Sequence, residues 1–326
     1  MPVIMYREAI RDALAEEMRR DPRVFVMGED VAIYGGAYSA TQGLVQEFGE
    51  TRVRDTAISE MAITGAAVGA AMAGMRPVAE IMYVDFMTLA MDQFVNQAAK
   101  NRYMFGGKTT VPMVLRTEGG AGRCIAAHHS QSLEAWFVHA PGIFVVMPAT
   151  PYDAKGLLKT CIRDDNPILF IEHKMLYNNK GEVPSEEYLI PLGKAAVRRE
   201  GDDVTIASYS RMALRAEEAG KKLAEEGISA EVIDLRCLKP LDIDCILDSV
   251  KKTGRLVLAS EAYKDGNFVC DVAMKVMESA FDYLDAPIER VCAANCPVPM
   301  SPVLEDEAIP RTDKIVAAAR RTLGKA

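Results

Sequence analysis

The chain has 326 residues, a net charge of −8 and seven cysteines, and these values exclude several classes of protein. The length predicts about two domains, and a composition of 49% hydrophobic and 26% charged residues is typical of a globular protein with a sizeable core. The acidic balance argues against a nucleic-acid-binding protein, which would need a basic face. The odd number of cysteines, without a CxxC pair, predicts reduced thiols. With no visible signal peptide and no window of transmembrane length, the sequence predicts a cytoplasmic protein.

The first half of the chain alternates between helical and strand patterns. Apolar residues spaced four apart between Tyr6 and Met18 predict a first helix. The apolar run 24–27 predicts a buried strand, and Glu29-Asp30 follow at its carboxyl end, where open α/β sheets bind ligands. The alternation continues with predicted strands at 78–82, 111–116, 143–147 and 168–172 and predicted helices at 89–103, 151–163 and up to His139. This order predicts a mostly parallel sheet.

The second half of the chain repeats the alternation more regularly. Residues 174–202 lack the pattern and predict a surface linker. After them come predicted strands at 204–209, 230–235, 256–260 and 288–292, alternating with predicted helices at 212–226, 243–252, 268–281 and 314–323. We therefore predict an α/β protein with two domains, each a mostly parallel sheet flanked by helices. The first domain would span 1–190, the linker 191–202 and the second domain 203–326.

One uncharged stretch dominates the first half. Residues 61–75 carry no charge and are rich in Ala and Gly, which predicts a tightly packed core helix that Arg76-Pro77 ends. Ser59 is the candidate N-cap, so Glu60 would lie in the first turn, where a helix favours an anion. Burial there would raise the pKa of Glu60 and let it exchange a proton near neutral pH. The alternative is that Glu60 only complements the helix dipole.

Two adjacent histidines form the other candidate site. His128 and His129 follow the glycine-rich loop 118–122, and a loop histidine beside glycines is suited to proton transfer. Adjacent side chains point in different directions, so one of the two would face the site. The chain has no GxSxG elbow, no GxGxxG after a strand, no P-loop and no HExxH, which argues against a serine hydrolase, a nicotinamide site, a P-loop nucleotide site and a zinc protease.

Several short motifs occur in order through the first half: Gly28-Glu-Asp-Val31, Ile58-Ser-Glu-Met61, Arg76-Pro77, Asp92-Gln93, Ala127-His-His-Ser-Gln131, Asp153-Ala-Lys-Gly156 and Ile162-Arg-Asp-Asp-Asn-Pro167. With these motifs the chain resembles the beta subunit of the thiamine-diphosphate-dependent first component of 2-oxo acid dehydrogenase complexes, of the pyruvate or acetoin dehydrogenase type. The resemblance implies a transketolase-like pyrimidine-binding domain, followed by a transketolase C-terminal domain.

The resemblance also implies roles for single residues. Glu60 would be the catalytic carboxylate that hydrogen-bonds a ring nitrogen of the cofactor's aminopyrimidine, which requires a carboxyl group able to share a proton. Ile58, Met82 and Phe86 would complete the cofactor site with Glu60, although ordinary core packing also explains Met82 and Phe86. His129 would transfer protons and help to pass the acyl group to a lipoyl arm. Which of the two histidines acts stays open.

A potassium site is a further implication of the resemblance. The ligands would be the carbonyls of Met113, Cys161 and Ile162 and the side chains of Asp164 and Asn166. Hard oxygen donors suit such a cation. The alternative is an ordinary helix-to-strand turn before Pro167, where Asp and Asn are common.

The expected partners follow from a missing motif. The Mg²⁺-bound diphosphate of thiamine diphosphate is recognised in this superfamily by Gly-Asp-Gly followed some distance later by Asn, and this chain lacks that arrangement. The resemblance therefore implies an α2β2 heterotetramer in which the alpha subunit holds Mg²⁺ and the diphosphate. It also implies docking on the lipoyl acyltransferase core of a multienzyme complex, with no nucleic acid and no membrane as partners. Asp282, Asp285, Glu289 and the run 305–307 could form an acidic docking patch.

The function implied is oxidative decarboxylation of a 2-oxo acid, or cleavage of acetoin, with acyl transfer to lipoamide. Two rival functions stay open: half of a split transketolase, or a non-catalytic docking subunit. A transketolase site would need clustered Arg and His residues for sugar phosphates, whereas the chain offers mainly His128 and His129.

Overall fold

The computed structural model describes residues 1–325, which fold into alternating strands and helices. The strands are β1 (Val3–Met5), β2 (Val24–Gly28), β3 (Val53–Asp55), β4 (Arg76–Ile81), β5 (Val114–Gly119), β6 (Phe144–Val146), β7 (Ile168–His173), β8 (Lys180–Glu182), β9 (Ala196–Arg199), β10 (Val204–Ser208), β11 (Ala230–Asp234), β12 (Cys237–Lys239), β13 (Leu256–Tyr263) and β14 (Glu289–Ala293). The helices are α1 (Tyr6–Arg20), α2 (Leu44–Phe48), α3 (Glu60–Met72), α4 (Ala99–Met104), α5 (Glu134–His139), α6 (Pro151–Arg163), α7 (Arg211–Glu225), α8 (Ile243–Thr253), α9 (Phe268–Ala280), α10 (Pro302–Ala308) and α11 (Thr312–Thr322).

The chain divides into two compact units. The first unit comprises Met1–Gly119 and Trp136–Leu192. Its parallel strands lie in the order β6-β7-β5-β4-β2-β3, and most of their residues are buried because helices cover the sheet. Helices α1 and α6 pack together, and α3 packs on β4. This order brings the carboxyl ends of β2, β4, β5 and β7 to one edge of the sheet.

The second unit comprises Gly120–Ala135 and the chain from Gly193 onward. Its sheet has the order β14-β13-β10-β11-β9, in which only β9 runs antiparallel. Helices α7 and α11 pack on this sheet around buried aliphatic side chains such as Val204, Leu223 and Ile315. Both units therefore have the mostly parallel sheet with flanking helices that the alternating pattern predicts.

Two predicted helices are different in the structure. The helix predicted at 89–103 is a 3₁₀ segment (Val84–Ala90), a π-helical segment (Asp92–Ala98) and α4 in succession. The spacing of apolar residues cannot distinguish these helix types over such short segments, because their numbers of residues per turn are similar. Instead of one helix up to His139, the structure has a short 3₁₀ turn (Ala127–His129) and then α5.

The predicted linker region also contains regular structure. Strand β8 pairs with β1, and β9 pairs antiparallel with β11. These strands are short and partly exposed, so they lack the apolar run that predicts a strand. Strand β12 and helix α10 were not predicted, and Gly120–Ala135 groups with the second unit although it was predicted in the first domain. The domain limits 1–190, 191–202 and 203–326 stay a prediction.

Two further features of the structure are the state of its cysteines and the lengths of its helices. All seven cysteines are free thiols. Among residues 1–325, no helix is both long enough and apolar enough to cross a bilayer.

Candidate active site

Glu60 is the first residue of α3 and is largely buried, with 8% of its surface exposed. Ser59 occupies the N-cap position, although its side chain makes no capping hydrogen bond. Within residues 1–325 the Glu60 carboxylate has no hydrogen bond and no ion pair. A buried carboxylate is stable only with a compensating partner or with the help of a helix N-terminus. The N-terminus of α3 therefore stabilises the Glu60 charge, and the carboxylate makes no hydrogen bond or ion pair with the other described residues.

Helix α3 is buried on one face only, which corrects the prediction of a tightly packed core helix. Ile63, Ala67 and Val68 are buried, whereas Met61 and Met72 are 56% and 43% exposed. The absence of charge misled the prediction, because a face of Ala and Gly is small rather than strongly hydrophobic. The helix also ends at Met72 rather than Met75, because Gly74 turns the chain with a φ of +95°.

Glu29 is electrostatically linked to Glu60. It follows β2 at the carboxyl edge of the sheet, and its Oε1 atom is buried without a hydrogen-bond partner among the described residues. Burial raises the pKa of Glu29, and the negative charges of Glu60, Asp30 and Glu80 raise it further. Neighbouring carboxylates that cannot all ionise together retain a proton. The raised pKa of Glu29 therefore favours its protonated form at the carboxyl edge of the first unit.

Two apolar candidates, Met82 and Phe86, follow β4 at the same edge of the first unit, and the third, Ile58, lies between β3 and α3. Met82 and Phe86 are half-buried, and Ile58 is 81% exposed. Between Met82 and Phe86, Tyr83 has a φ of +69°, a conformation that bulky side chains rarely adopt. The Phe86 backbone N–H donates to the Tyr83 carbonyl at 3.1 Å, and the two rings meet edge to face at 6.2 Å. The strained turn therefore fixes Met82 and Phe86 at the strand end instead of in the core.

A buried ion network lies on the neighbouring strands. Arg116 on β5 donates to Glu80 on β4 at 2.6 Å and to both carboxylate oxygens of Glu172 on β7 at 2.6 and 2.9 Å. All three side chains are buried. A buried guanidinium and carboxylates repay their desolvation only when such paired geometry satisfies them. The network therefore ties together the three adjacent strands β4, β5 and β7 near their carboxyl ends.

Glu118 is a further acid beside this network. It lies opposite Glu172 in the strand register, and its Oε1 atom has no hydrogen-bond partner among residues 1–325. Burial, followed by the charges of Glu80 and Glu172, raises the pKa of Glu118 to about 8, and Lys174 opposes this shift. The Lys174 ammonium lies 4.9 Å from the Tyr83 ring centroid, in cation–π contact. Glu118 is therefore protonated near neutral pH.

Sequence reasoning missed this network of Glu80, Arg116, Glu118 and Glu172. The available signal was a charged residue within a run that otherwise predicts a buried strand, as in 78–82 and 111–116. Such charges are rarely buried without partners, so two of them on adjacent predicted strands indicate an ion pair.

The histidines belong to the second unit. His128 is exposed and His129 is half-buried, both on the short 3₁₀ turn that begins at Ala127. Glu60, Met82 and Phe86 belong to the first unit. The structure therefore brings the cofactor-site candidates to one edge of the first unit and assigns His129 to the other unit.

The predicted potassium ligands lie near the end of α6 and just before β5: Met113, Cys161, Ile162, Asp164 and Asn166. The Arg76 guanidinium donates to the carbonyl oxygens of Ile162 and Asp164 at 3.0 and 2.8 Å. The other two carbonyl oxygens accept backbone N–H groups at 3.0 and 3.3 Å. Asp164 Oδ1 accepts both N–H donors of Asn166, whose own Oδ1 accepts from Arg102. A potassium ion would therefore compete with Arg76 and with these hydrogen bonds.

Two family models match the chain, one on each side of residue 190. Residues 3–180 match the transketolase pyrimidine-binding domain, and residues 193–315 match the transketolase C-terminal domain. A solved structure described as a split gene transketolase, inactive beta4 tetramer, has a TM-score of 0.81 and 25% identity over 98% of each chain. The fold and the edge carrying Glu60 thus define a transketolase-like protein, a class whose pyrimidine-binding domain implies thiamine diphosphate as the cofactor.

Relatives similar over the full length narrow this class. The beta subunit of acetoin:2,6-dichlorophenolindophenol oxidoreductase from Cupriavidus necator is 50% identical, covering 97% of this chain and 96% of that protein. The pyruvate dehydrogenase E1 beta subunit from Rhizobium meliloti is 47% identical, covering 98% of this chain and 70% of that protein. The 2-oxoisovalerate dehydrogenase beta subunit from Bacillus subtilis is also 47% identical, covering 98% of each.

The chain therefore belongs to the family of beta subunits of the first component of 2-oxo acid and acetoin dehydrogenases. This confirms the resemblance drawn from the motifs, together with the predicted fold and the predicted class of oxidoreductase. A beta subunit of this family implies an alpha subunit as its partner.

Proposed function

We propose that this chain forms an α2β2 heterotetramer and contributes the pyrimidine-binding half of a thiamine diphosphate site. The assembly oxidatively decarboxylates a 2-oxo acid of the pyruvate type, or cleaves acetoin, and transfers the acyl group to lipoamide. The observation that carries the proposal is Glu60: a largely buried carboxylate without an internal partner, at the start of α3 in the unit that matches the pyrimidine-binding family.

The residues present fit the aminopyrimidine of the cofactor. A ring nitrogen that shares a proton is the partner that the unpaired Glu60 carboxylate lacks. Apolar Met82, Phe86 and Ile58 are suited to the faces of an aromatic ring. Glu60, Ile58, Met82 and Phe86 would therefore hold the pyrimidine.

The chain's contribution to the reaction is proton control in a dry site. When bound, thiamine diphosphate supplies a carbon nucleophile for the 2-oxo group and an electron sink for the bond that breaks. Glu60 would hold a proton at the pyrimidine ring nitrogen, and Glu29 would oppose the loss of this proton, because the two carboxylates disfavour joint ionisation. Met82 and Phe86 would exclude water from this contact.

His129 is the proposed group for proton transfer to the substrate and for passing the acyl group to the lipoyl arm. An imidazole changes charge near neutral pH, which suits both steps. His128 is more exposed than His129, and this supports His129 as the acting residue.

The alpha subunit would supply Mg²⁺ and the diphosphate-binding residues, and the complete assembly would dock on a lipoyl acyltransferase core. The missing Gly-Asp-Gly motif supports this division. A cytoplasmic location is proposed with the same function, although a relative from Dictyostelium discoideum is named as mitochondrial.

Potassium binding at Met113, Cys161, Ile162, Asp164 and Asn166 stays a proposal. Since Arg76 already donates to two carbonyls there, potassium would act only by displacing the guanidinium. Thermal unfolding in potassium chloride and in choline chloride of equal ionic strength tests it: a higher melting temperature in potassium supports the site, and identical values contradict it.

Glu60→Gln tests the proposed function in the heterotetramer. The amide keeps the shape of the side chain but cannot share a proton as the carboxyl group does, so kcat should fall about 10²–10⁴-fold. Dye reduction with pyruvate, 2-oxoisovalerate and acetoin measures the loss and identifies the substrate. Glu50→Gln on the exposed surface is the matched control and should keep wild-type activity.

The rivals give different results in the same assay. A docking subunit would keep full activity after Glu60→Gln. A split transketolase half would leave all three substrates unreacted and would instead transfer a ketol unit between sugar phosphates.

A further inference from the structure

The loop that carries His129 has an unusual backbone. Between Gly120 and Ala126, four residues have positive φ values: Gly120 (+81°), Gly122 (+108°), Cys124 (+56°) and Ala126 (+65°). Cys124 and Ala126 have side chains, so their left-handed conformations are strained and persist only when neighbouring groups enforce them. The part of the second unit that enforces them should matter for the position of His129.

Two buried carboxylates of the same unit hold this loop. Glu305 Oε1 accepts the Gly122 N–H at 2.8 Å, and its Oε2 accepts the Cys124 N–H at 3.0 Å and the Cys124 thiol at 3.1 Å. Glu261 Oε1 accepts the Ala121 N–H at 2.6 Å. Both carboxylates are buried, with Glu305 only 3% exposed. Hydrogen bonds to a charged, buried acceptor are the strong ones.

Apolar packing and one cation complete the attachment. Ala121 packs with Val298 and Ile309 in a small buried cluster. The Arg211 guanidinium donates to the Ala121 carbonyl at 3.2 Å and lies 3.8 Å from Glu261. The loop is therefore fixed at several successive residues before His129.

Glu305 is distinct from its acidic neighbours, because it is buried and so would not contribute to the predicted acidic docking patch, which otherwise stays a prediction. Asp306 and Glu307 are exposed and pair with Arg311, whereas Glu305 turns inward to the loop. Asp285 and Glu289 also have arginine partners, Arg255 and Arg321. The run 305–307 is thus divided between one inner carboxylate and two outer carboxylates that share Arg311 with Asp313.

We infer that Glu305, supported by Glu261, is a positioning residue that sets the conformation of the loop and thereby the placement of His129. The inference rests on the proposed role of His129. Glu305 does not contact the reacting atoms; it acts through the backbone N–H groups of Gly122 and Cys124.

Glu305→Gln in the heterotetramer tests the inference. Both carboxylate oxygens of Glu305 accept N–H groups of the loop, whereas the glutamine amide has only one oxygen that can accept them. The loop should therefore relax, and kcat should fall roughly 10²-fold with KM nearly unchanged. The matched control is Glu307→Gln, which should leave kcat unchanged. In a His129→Ala background, Glu305→Gln should lower kcat little further, because Glu305 acts on kcat through the position of the His129 side chain.

The Cys124 thiol provides a readout that does not depend on activity. Its hydrogen bond to Glu305 raises the pKa of Cys124. Removing the carboxylate should lower this pKa and speed alkylation of Cys124 by iodoacetamide at pH 8 by roughly three- to tenfold, measured by peptide mass spectrometry. Glu307→Gln should leave that rate unchanged.

An unchanged kcat together with an unchanged Cys124 rate in Glu305→Gln would overturn the inference. A full additional loss in the His129→Ala background would also overturn it, because Glu305 would then act apart from His129. If Glu305→Gln does not assemble, Glu261→Gln carries the kcat test and the His129→Ala test through Ala121. If the wild-type assembly is inactive on every substrate, the proposed function fails, whereas the Cys124 rates still decide whether Glu305 holds the loop.

Discussion

At the scale of single residues, Glu118 makes the stability of the chain depend on pH. Burial raises its pKa in the folded state from 4.5 to about 8. The folded state then binds more protons than the unfolded state between these values, so the stability contribution falls as the pH rises through this window and levels off above it.

Glu118→Gln should remove this dependence. The neutral amide needs no proton, so the stability of the variant relative to wild type should increase from pH 5 to pH 8 and then stay constant. Urea unfolding at a series of pH values measures the difference. Glu186→Gln, at an exposed position, is the control. If the free energies of unfolding of Glu118→Gln and wild type change with pH in parallel, Glu118 is ionised at neutral pH and the prediction is wrong.

Among the buried charged residues, Arg116 should cause the largest loss of folding stability when it is replaced. Arg116→Met leaves Glu80 and Glu172 buried without a cation, which should lower the free energy of unfolding by about 3–5 kcal/mol. Thermal and urea unfolding measure the loss. Arg19→Met removes the exposed pair with Glu47 and should have a far smaller effect; equal losses in both variants would contradict the account.

At the scale of elements, two glycines should respond in opposite ways to alanine. A Cβ at Gly142, where φ is +99°, would overlap the Ala99 carbonyl, so Gly142→Ala should cost about 1–3 kcal/mol for the backbone conformation alone and more for the overlap. Gly69 lies in α3, and a methyl group added there would have no neighbouring atom within 4 Å, so Gly69→Ala should stabilise the isolated chain by about 0.5–1 kcal/mol. A lower unfolding midpoint for Gly69→Ala, or an unchanged or higher one for Gly142→Ala, would contradict the corresponding expectation.

The elements with long apolar periods could be predicted from the sequence. Helices α1, α6 and α7 and strands β2, β10 and β11 have limits within one or two residues of the prediction, because each buries a continuous face. Elements held mainly by their tertiary surroundings could not be predicted. Strand β9 depends on its neighbour β11, and the turn at Ala127–His129 follows strained φ values that no local pattern encodes.

The site could be predicted in part. Glu60 is indicated by a charge at the start of an uncharged helix, and Glu29 by its place at a strand end. The Arg116 network and the Glu305 contacts join residues 36 to 183 positions apart, and such pairings arise only from the fold. No local pattern distinguishes Glu305 from Asp306 and Glu307, because all three belong to one acidic run.

At the scale of the whole molecule, the proposed cofactor site requires a second chain. In the proposed site the chain would supply Glu60 and the apolar pyrimidine contacts, and its sequence lacks the diphosphate motif. Its beta-subunit relatives are similar over nearly its full length, so both domains are shared with proteins that are named as beta subunits.

Calorimetric titration of thiamine diphosphate with Mg²⁺, into this chain alone and into its complex with the alpha subunit, decides whether the cofactor site is shared. We expect no binding to the isolated chain and tight binding to the complex, with one cofactor for each pair of subunits. Tight binding by the chain alone would contradict the shared site, and absence of binding in both samples would contradict the role of thiamine diphosphate.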